Sequence, residues 1–198
     1  MEATTDAGKK VLLDSDGTWR FVEPVTIDSS NEGFRRIPWG ASRTTISQRE
    51  TLALVQRIPD GLMYHTSIAG LSCNVVYILV DDQLVRAKYI LDQEYENQNN
   101  YLAATDKLKA SLETKYGVPD RDNSYWSDDL YKDEVNDWGM AVSCGHLTRF
   151  VFWETAVTTI CLYLTGENFE IDVGIEYTSK ALEHLEQSQK DAQIIAEL

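Results

Sequence analysis

The strongest constraint on this chain is a set of three apolar runs with almost no chain between them. LMYHTSI (62–68), SCNVVYILV (72–80) and LVRAKYIL (84–91) are rich in β-branched and aromatic residues, separated by Ala69-Gly70 and by Asp81-Asp82-Gln83. Connections this short join antiparallel neighbours, because a parallel crossover takes a dozen residues or more. A second set follows in TRFVFWE (148–154), TTICLYL (158–164) and FEIDVGIEY (169–177), with Gly166-Glu167-Asn168 in its last turn. Six antiparallel strands are therefore expected.

Helical spacing surrounds each set. Ser42 can cap a helix through about Arg57, with Ile46, Leu52, Val55 and Ile58 on one side and Pro59, Asp60 and Gly61 to stop it. A second helix runs from about Asn97 to Tyr116 on an apolar stripe of Tyr101, Leu102, Leu108 and Leu112, and Gly117 and Pro119 end it. PDRDNSYWSDD (119–129) has the composition of a polar loop. From Ser127 onward Tyr131, Val135, Trp138 and Val142 share one helical face, with Asp128 and Asp129 in the first turn and Gly145 at the end. A last helix starts near Ser179, with Leu182, Leu185 and Ile195 on one side. The expected fold is α+β: antiparallel sheet or sheets with helices on one face. Its order suggests a duplicated helix–three strands–helix unit, residues 42–117 and 127–198, sharing one core.

The N-terminal stretch VLLDSDGTWRFVE (11–23) poses a choice between a calcium loop and a turn. With Gly17 at the sixth position of an EF-hand loop, Asp14, Asp16 and Glu23 fall on ligand positions. Position one is then Leu12, which has no side-chain oxygen, and the flanks alternate with period two as strands do. A β-hairpin turning at Ser15-Asp16-Gly17 is expected instead. Residues 1–10 read as a disordered N-terminus, and 11–198 as a single domain.

The balance of 32 acids against 18 bases, a net charge of −14, repels phosphates and argues against nucleic acid. No apolar run approaches the roughly 20 residues of a membrane span. MEATTDAGKK lacks the charged and apolar regions of a signal peptide. The expected location is the periplasm or cell envelope where a signal peptide has been removed, and the cytoplasm otherwise. Cys73, Cys144 and Cys161 are odd in number and lie in apolar segments, which fits buried free thiols rather than a disulfide framework. One disulfide plus one free thiol is the alternative for an exported chain.

Two segments carry a resemblance. AGKKVLLDSDGTWRFVE resembles the V-L-L…D-G-T-W hairpin near the mature N-terminus of assorted small bacterial proteins, many of them exported. FRRIPWGAS is similar to the F…I-P-W-G-x-S entry of uncharacterised bacterial domains, in which a helix after the turn precedes strands. The resemblance implies an envelope location and carries no catalytic residue over to this chain.

Chemistry-bearing patterns are sparse. Cys144-Gly145-His146 is a C-x-H pair that would need His65 and Cys73 to complete a zinc site, and no C-x₂-C or H-x₃-H accompanies it. The same pair is the best thiol–imidazole candidate for nucleophilic catalysis, and the chain has no G-x-S-x-G elbow or glycine-rich phosphate loop. No catalytic residue, metal ligand or cofactor site is therefore assigned, and no cofactor is expected. Asp120, Asp122, Asp128, Asp129, Asp133, Glu134 and Asp137 form an acidic stretch suited to a solvated helix start, a divalent cation or a basic partner. Aromatics lie among these acids. Tyr125, Trp126, Asp128, Asp129 and Tyr131 form the candidate interaction surface, for an unknown protein or peptide partner or a sugar, against the plainer reading that Trp126 pins a loop. The expected function is a non-catalytic binding or protein-interaction module of the bacterial envelope. The alternative is an acidic, dimeric cytosolic chaperone or adaptor resembling type III secretion chaperones.

Overall fold

The computed structural model describes residues 33–186 and 188 in full, and the segments 2–4, 10–13 and 19–21 by their backbone. The chain divides into two compact units, Met1–Asn31 and Glu32–Leu198, so a boundary falls inside the span read as one domain. In the first unit β1 (Glu2–Thr4), β2 (Lys10–Leu13) and β3 (Trp19–Phe21) form an antiparallel sheet in that order. The β2–β3 hairpin pairs Leu13 with Trp19 and Val11 with Phe21, and its turn lies outside the described residues. β1, within the stretch read as disordered, pairs with β2.

The second unit is α+β. A small hairpin of β4 (Gly33–Phe34) and β5 (Ile37–Pro38) leads to α1 (Arg43–Arg49). The strands β6 (Leu54–Ile58), β7 (Gly61–Ile68), β8 (Leu71–Val80) and β9 (Gln83–Leu91) follow, then α2 (Asn99–Tyr116) and β10 (Arg121–Trp126). A 3-10 turn at Val135–Asp137 opens α3 (Trp138–Ser143), and β11 (Leu147–Glu154), β12 (Thr158–Glu167) and β13 (Glu170–Ser179) complete the strands. One eight-stranded antiparallel sheet has the order β10-β11-β12-β13-β9-β8-β7-β6. The last strands of the two meanders meet at its centre, where Gly174 faces Ile90 and Thr178 faces Arg86.

Four tight hairpins set the register. Arg35-Arg36, Ala69-Gly70, Asp81-Asp82 and Asn168-Phe169 each have both central residues at positive φ, the two-residue turn whose twist matches that of the flanking strands. The β12–β13 turn thus falls beyond Gly166, which belongs to a strand. Asp81-Asp82 suits the left-handed region because a short polar side chain tolerates it, and Asp82 Oδ1 accepts the Arg43 N–H at 2.9 Å, tying the turn to the start of α1.

α1 and α3 are shorter than their spacing predicts. Ser42 does cap α1, its hydroxyl accepting the Thr45 N–H at 3.2 Å, but the helix ends at Arg49 and Leu54–Ile58 form the edge strand β6. Glu50 causes the stop: its carboxylate accepts the N–H groups of Thr51 and Leu52 at 2.8 and 3.2 Å and turns the chain out of the helix. α2 runs as expected, burying Ala104, Thr105, Leu108 and Leu112 against β12 and β13, and Gly117 caps it at φ +85°. The helix expected from Ser127 is reduced to the 3-10 turn and the six residues of α3. Of the last helix, residues 183–186 and 188 are helical, and Ile195 lies outside the described residues.

α2 packs on β12 and β13 and α3 on β11, β12 and β13, over Val151, Trp153, Leu162, Leu164, Val173 and Ile175, all at most 2 % exposed. Leu62, Val75 and Tyr77 of β7 and β8 are as deeply buried, and Phe34 of the β4–β5 hairpin packs edge-on against Tyr77 at 5.5 Å. Each such side chain is worth about 1.5–3 kcal/mol of burial. One core cluster draws on both meanders. A polar lock sits beside it. Arg35 Nε and Nη2 donate to the two oxygens of Glu50 at 2.9 and 3.2 Å, Arg35 Nη1 donates to the Tyr89 hydroxyl, and the Tyr77 hydroxyl donates to Glu50. The Glu50 side chain is 3 % exposed, so the β4–β5 hairpin is fastened to the sheet by a buried ion pair.

Candidate interaction surface

The stretch read as a polar loop contains β10, whose six residues pair with β11 from Arg121 opposite Phe152 to Trp126 opposite Leu147. Strand alternation then divides its side chains. Arg121, Asn123 and Tyr125 fall on the face away from α2 and α3, with Phe150 and Phe152 of β11. Asp122, Ser124 and Trp126 fall on the helix face. The contacts agree: the Arg121 guanidinium lies 4.2 Å from the Phe152 ring centre, Tyr125 meets Phe150 at 6.3 Å, and Phe150 and Phe152 stack at 6.5 Å. On the helix face Asp122 pairs with Lys109 at 2.7 Å and Trp126 packs edge-on against Trp138 at 5.7 Å.

The residues singled out in the sequence therefore do not share one patch. Tyr125 is 55 % exposed at the head of the aromatic row on the open face. Trp126 is half-buried on the opposite face, in a strand rather than a loop. Tyr131 stacks on His146 at 5.7 Å. Asp128 Oδ1 accepts the Leu130 N–H at 2.8 Å, a local turn, and Asp129 pairs with Lys132 at 2.8 Å. Among the described residues Asp128, Asp133, Glu134 and Asp137 have no cationic partner.

The open face continues toward the centre of the sheet. Tyr163, opposite both Phe150 and Gly174, lays its phenol over the glycine: a Cβ on Gly174 would sit 2.4 Å from the hydroxyl. Burial and the nearby Asp172 and Glu176 carboxylates push the Tyr163 hydroxyl up to about 12, so it stays neutral. Sequence reasoning missed the charged cluster beyond it. Lys88 Nζ meets Glu176 at 2.5 Å, Arg86 lies 3.4 Å from the same carboxylate, and Arg86 Nη2 meets Glu186 at 2.5 Å. Burial raises the pKa of Glu176, but the bond from Lys88 and the charge of Arg86 outweigh it and hold the carboxyl below its usual range. Beneath the helical turn at 183–186 a cleft of about 520 Å³ is lined by Arg86, Glu176, Thr178, Lys180, Glu183, His184 and Glu186. The available signal was Arg86, Lys88 and Glu176, charged residues at alternate positions in otherwise apolar strands.

Cys73, Cys144 and Cys161 are free thiols. Burial pushes Cys73 and Cys161 up to about 11, which makes both poor nucleophiles near neutrality. His146 is held by its stack on Tyr131, and its Nδ1 is buried without a hydrogen-bond partner. Among the described residues no three of His, Cys, Asp and Glu are grouped to hold a metal ion, and no helix is long and apolar enough to cross a membrane. Comparison with protein-family models, curated proteins and solved structures finds no match for this chain.

Proposed function

We propose that this protein is a non-catalytic binding module that recognises a protein or peptide partner, and that it works in the bacterial cell envelope. One observation carries the reading: the row Tyr125–Phe150–Phe152, with Arg121 lying over its far end, is presented on the open face at one end of the sheet. Tyr125 is exposed and the two phenylalanines behind it are half-buried; aromatics beside an arginine are the side chains that dominate protein recognition, because they bring large contact area at small entropic cost. Arg86, Lys88 and Glu176 on the same face are paired with one another, which suits a fixed docking platform better than proton transfer. The envelope location is supported by the resemblance of the N-terminal hairpin segment to small bacterial proteins, many of them exported.

Selection of random peptides on phage against the purified protein tests this. Enriched peptides are expected to lose at least about tenfold in affinity, 1.4 kcal/mol, when Tyr125→Ala is measured by calorimetry. A selection that enriches nothing, or peptides indifferent to Tyr125→Ala and Phe150→Ala, overturns the reading. Fractionation of cells expressing the native gene tests the location.

A further inference from the structure

The sheet ends on one side at β6 and on the other at β10, and the two edges differ. The β6 ladder is broken by a register shift between Leu54 and Gln56, and such bulges discourage a further strand from pairing. The β10 ladder runs without a shift through all six residues. Its hydrogen-bonding direction is fixed by the Ser127 N–H, which donates to the His146 carbonyl at 2.8 Å. In an antiparallel pair, residues alternate between bonding the neighbour and turning outward. Tyr125, Asn123 and Arg121 therefore bond β11, and the N–H and C=O groups of Trp126, Ser124 and Asp122 point away from the sheet. Among the described residues β10 is an open edge, with three successive outward sites.

We propose that an extended basic peptide adds to this edge as a ninth strand, with lysine or arginine side chains toward the acidic segment that follows β10 and apolar side chains beside Tyr125 and Phe150. This deepens the binding-module reading and rests on it. Charge selects the occupant. The chain carries a net charge of −14, and Asp128, Asp133, Glu134 and Asp137, just beyond the strand, have no cationic partner among the described residues. A second copy of this chain would bring the same carboxylates to the seam, so like charges would oppose the pairing of two β10 edges. An extended peptide draws affinity from the backbone bonds and specificity from alternate side chains, and this edge offers both.

The test uses two fluorescein-labelled decapeptides, one alternating lysine and valine, the other glutamate and valine. The lysine peptide is expected to bind at least about tenfold more tightly in 50 mM salt and to lose that advantage in 500 mM salt. Ser124→Pro removes an outward N–H without touching the β11 ladder, and proline is tolerated at an edge in this orientation. It is expected to weaken binding at least about tenfold with the circular dichroism unchanged. Hydrogen exchange on the wild-type protein gives a readout independent of that variant. The Asp122, Ser124 and Trp126 amides are expected to slow at least about tenfold on binding, and those of Asn123 and Tyr125 to stay as they were. Equal binding of the two peptides, binding of neither, or protection elsewhere in the chain overturns the proposal. Phage-selected peptides that need Tyr125 yet bind Ser124→Pro unchanged would sink the ninth strand and leave the binding module standing.

Discussion

Glu50→Ala should be among the most destabilising single substitutions in the second unit. The Glu50 carboxylate accepts two bonds from Arg35, one from the Tyr77 hydroxyl and two from the N–H groups of Thr51 and Leu52. Removing one partner of a buried ion pair costs about 3–5 kcal/mol, because the other charge is left without compensation. Arg35 is 28 % exposed, so its freed guanidinium finds some water and the loss falls near the lower end. Tyr77 is fully buried, and its hydroxyl finds none. About 3 kcal/mol lowers the melting temperature of a chain of this size by roughly 6–12 °C, measurable by calorimetry or urea unfolding. Acid titration gives a second readout. Burial raises the pKa of Glu50, but the Arg35 and Tyr77 bonds and the guanidinium charge outweigh it, and the carboxyl titrates below its ordinary 4.5. The stabilisation is therefore complete above about pH 4.5 and is lost as the pH falls through the lower, folded value. Glu50→Gln should flatten that part of the stability curve. A cost under about 1 kcal/mol for Glu50→Ala would refute the account of Glu50 as the fastening of the hairpin.

Gly174→Ala should cost about 1–3 kcal/mol in urea unfolding, since the new methyl would meet the Tyr163 ring and the Tyr89 carbonyl oxygen at 2.7 Å. Tyr163→Phe should not rescue it, because the ring carbon at 2.6 Å remains. Trp153→Phe removes the indole N–H bond to the Gly117 carbonyl at 2.9 Å and part of a side chain 1 % exposed, and should cost about 2 kcal/mol. Cys73 and Cys161, raised to about 11, hold only about 0.1 % thiolate at pH 8. Mass spectrometry should find both unmodified by iodoacetamide in the native protein and labelled in guanidinium.

The six long strands were legible because their apolar runs are broken by connections too short for anything but antiparallel hairpins. Turn chemistry was only partly readable. Asp81-Asp82 and the Gly70 and Asn168 positions suit the two-residue turn, whereas Arg35, Arg36 and Phe169 adopt the same positive-φ geometry with side chains that seldom favour it. β10 is not legible locally, because Arg121-Asp122-Asn123-Ser124 has low strand propensity. Its pairing comes from β11, and half its groups face water. Leu52, Val55 and Ile58 fit helical spacing although Leu54–Ile58 form β6, and nothing local reveals that Glu50 bends the chain away. The candidate surface was half legible. Tyr125 stood out, but Phe150 and Phe152 join it only through a register that no single segment encodes, and the period-two strand sends neighbouring Trp126 to the opposite face.

The seam between β9 and β13 governs how the chain can be made. Tyr89 pairs with Ile175, so roughly ninety residues separate the two central strands in the order of synthesis. At about 5–20 residues per second the ribosome needs about 5–20 s to deliver the second partner. Throughout that interval β8 and β9 can already be paired, and the far side of β9 presents backbone groups and apolar side chains that will lie at the middle of the finished sheet. Closing the seam is a long-range event, which places it late in folding. Substitutions that slow β13, rather than those that weaken the native state, should therefore show first as insoluble protein in the cell.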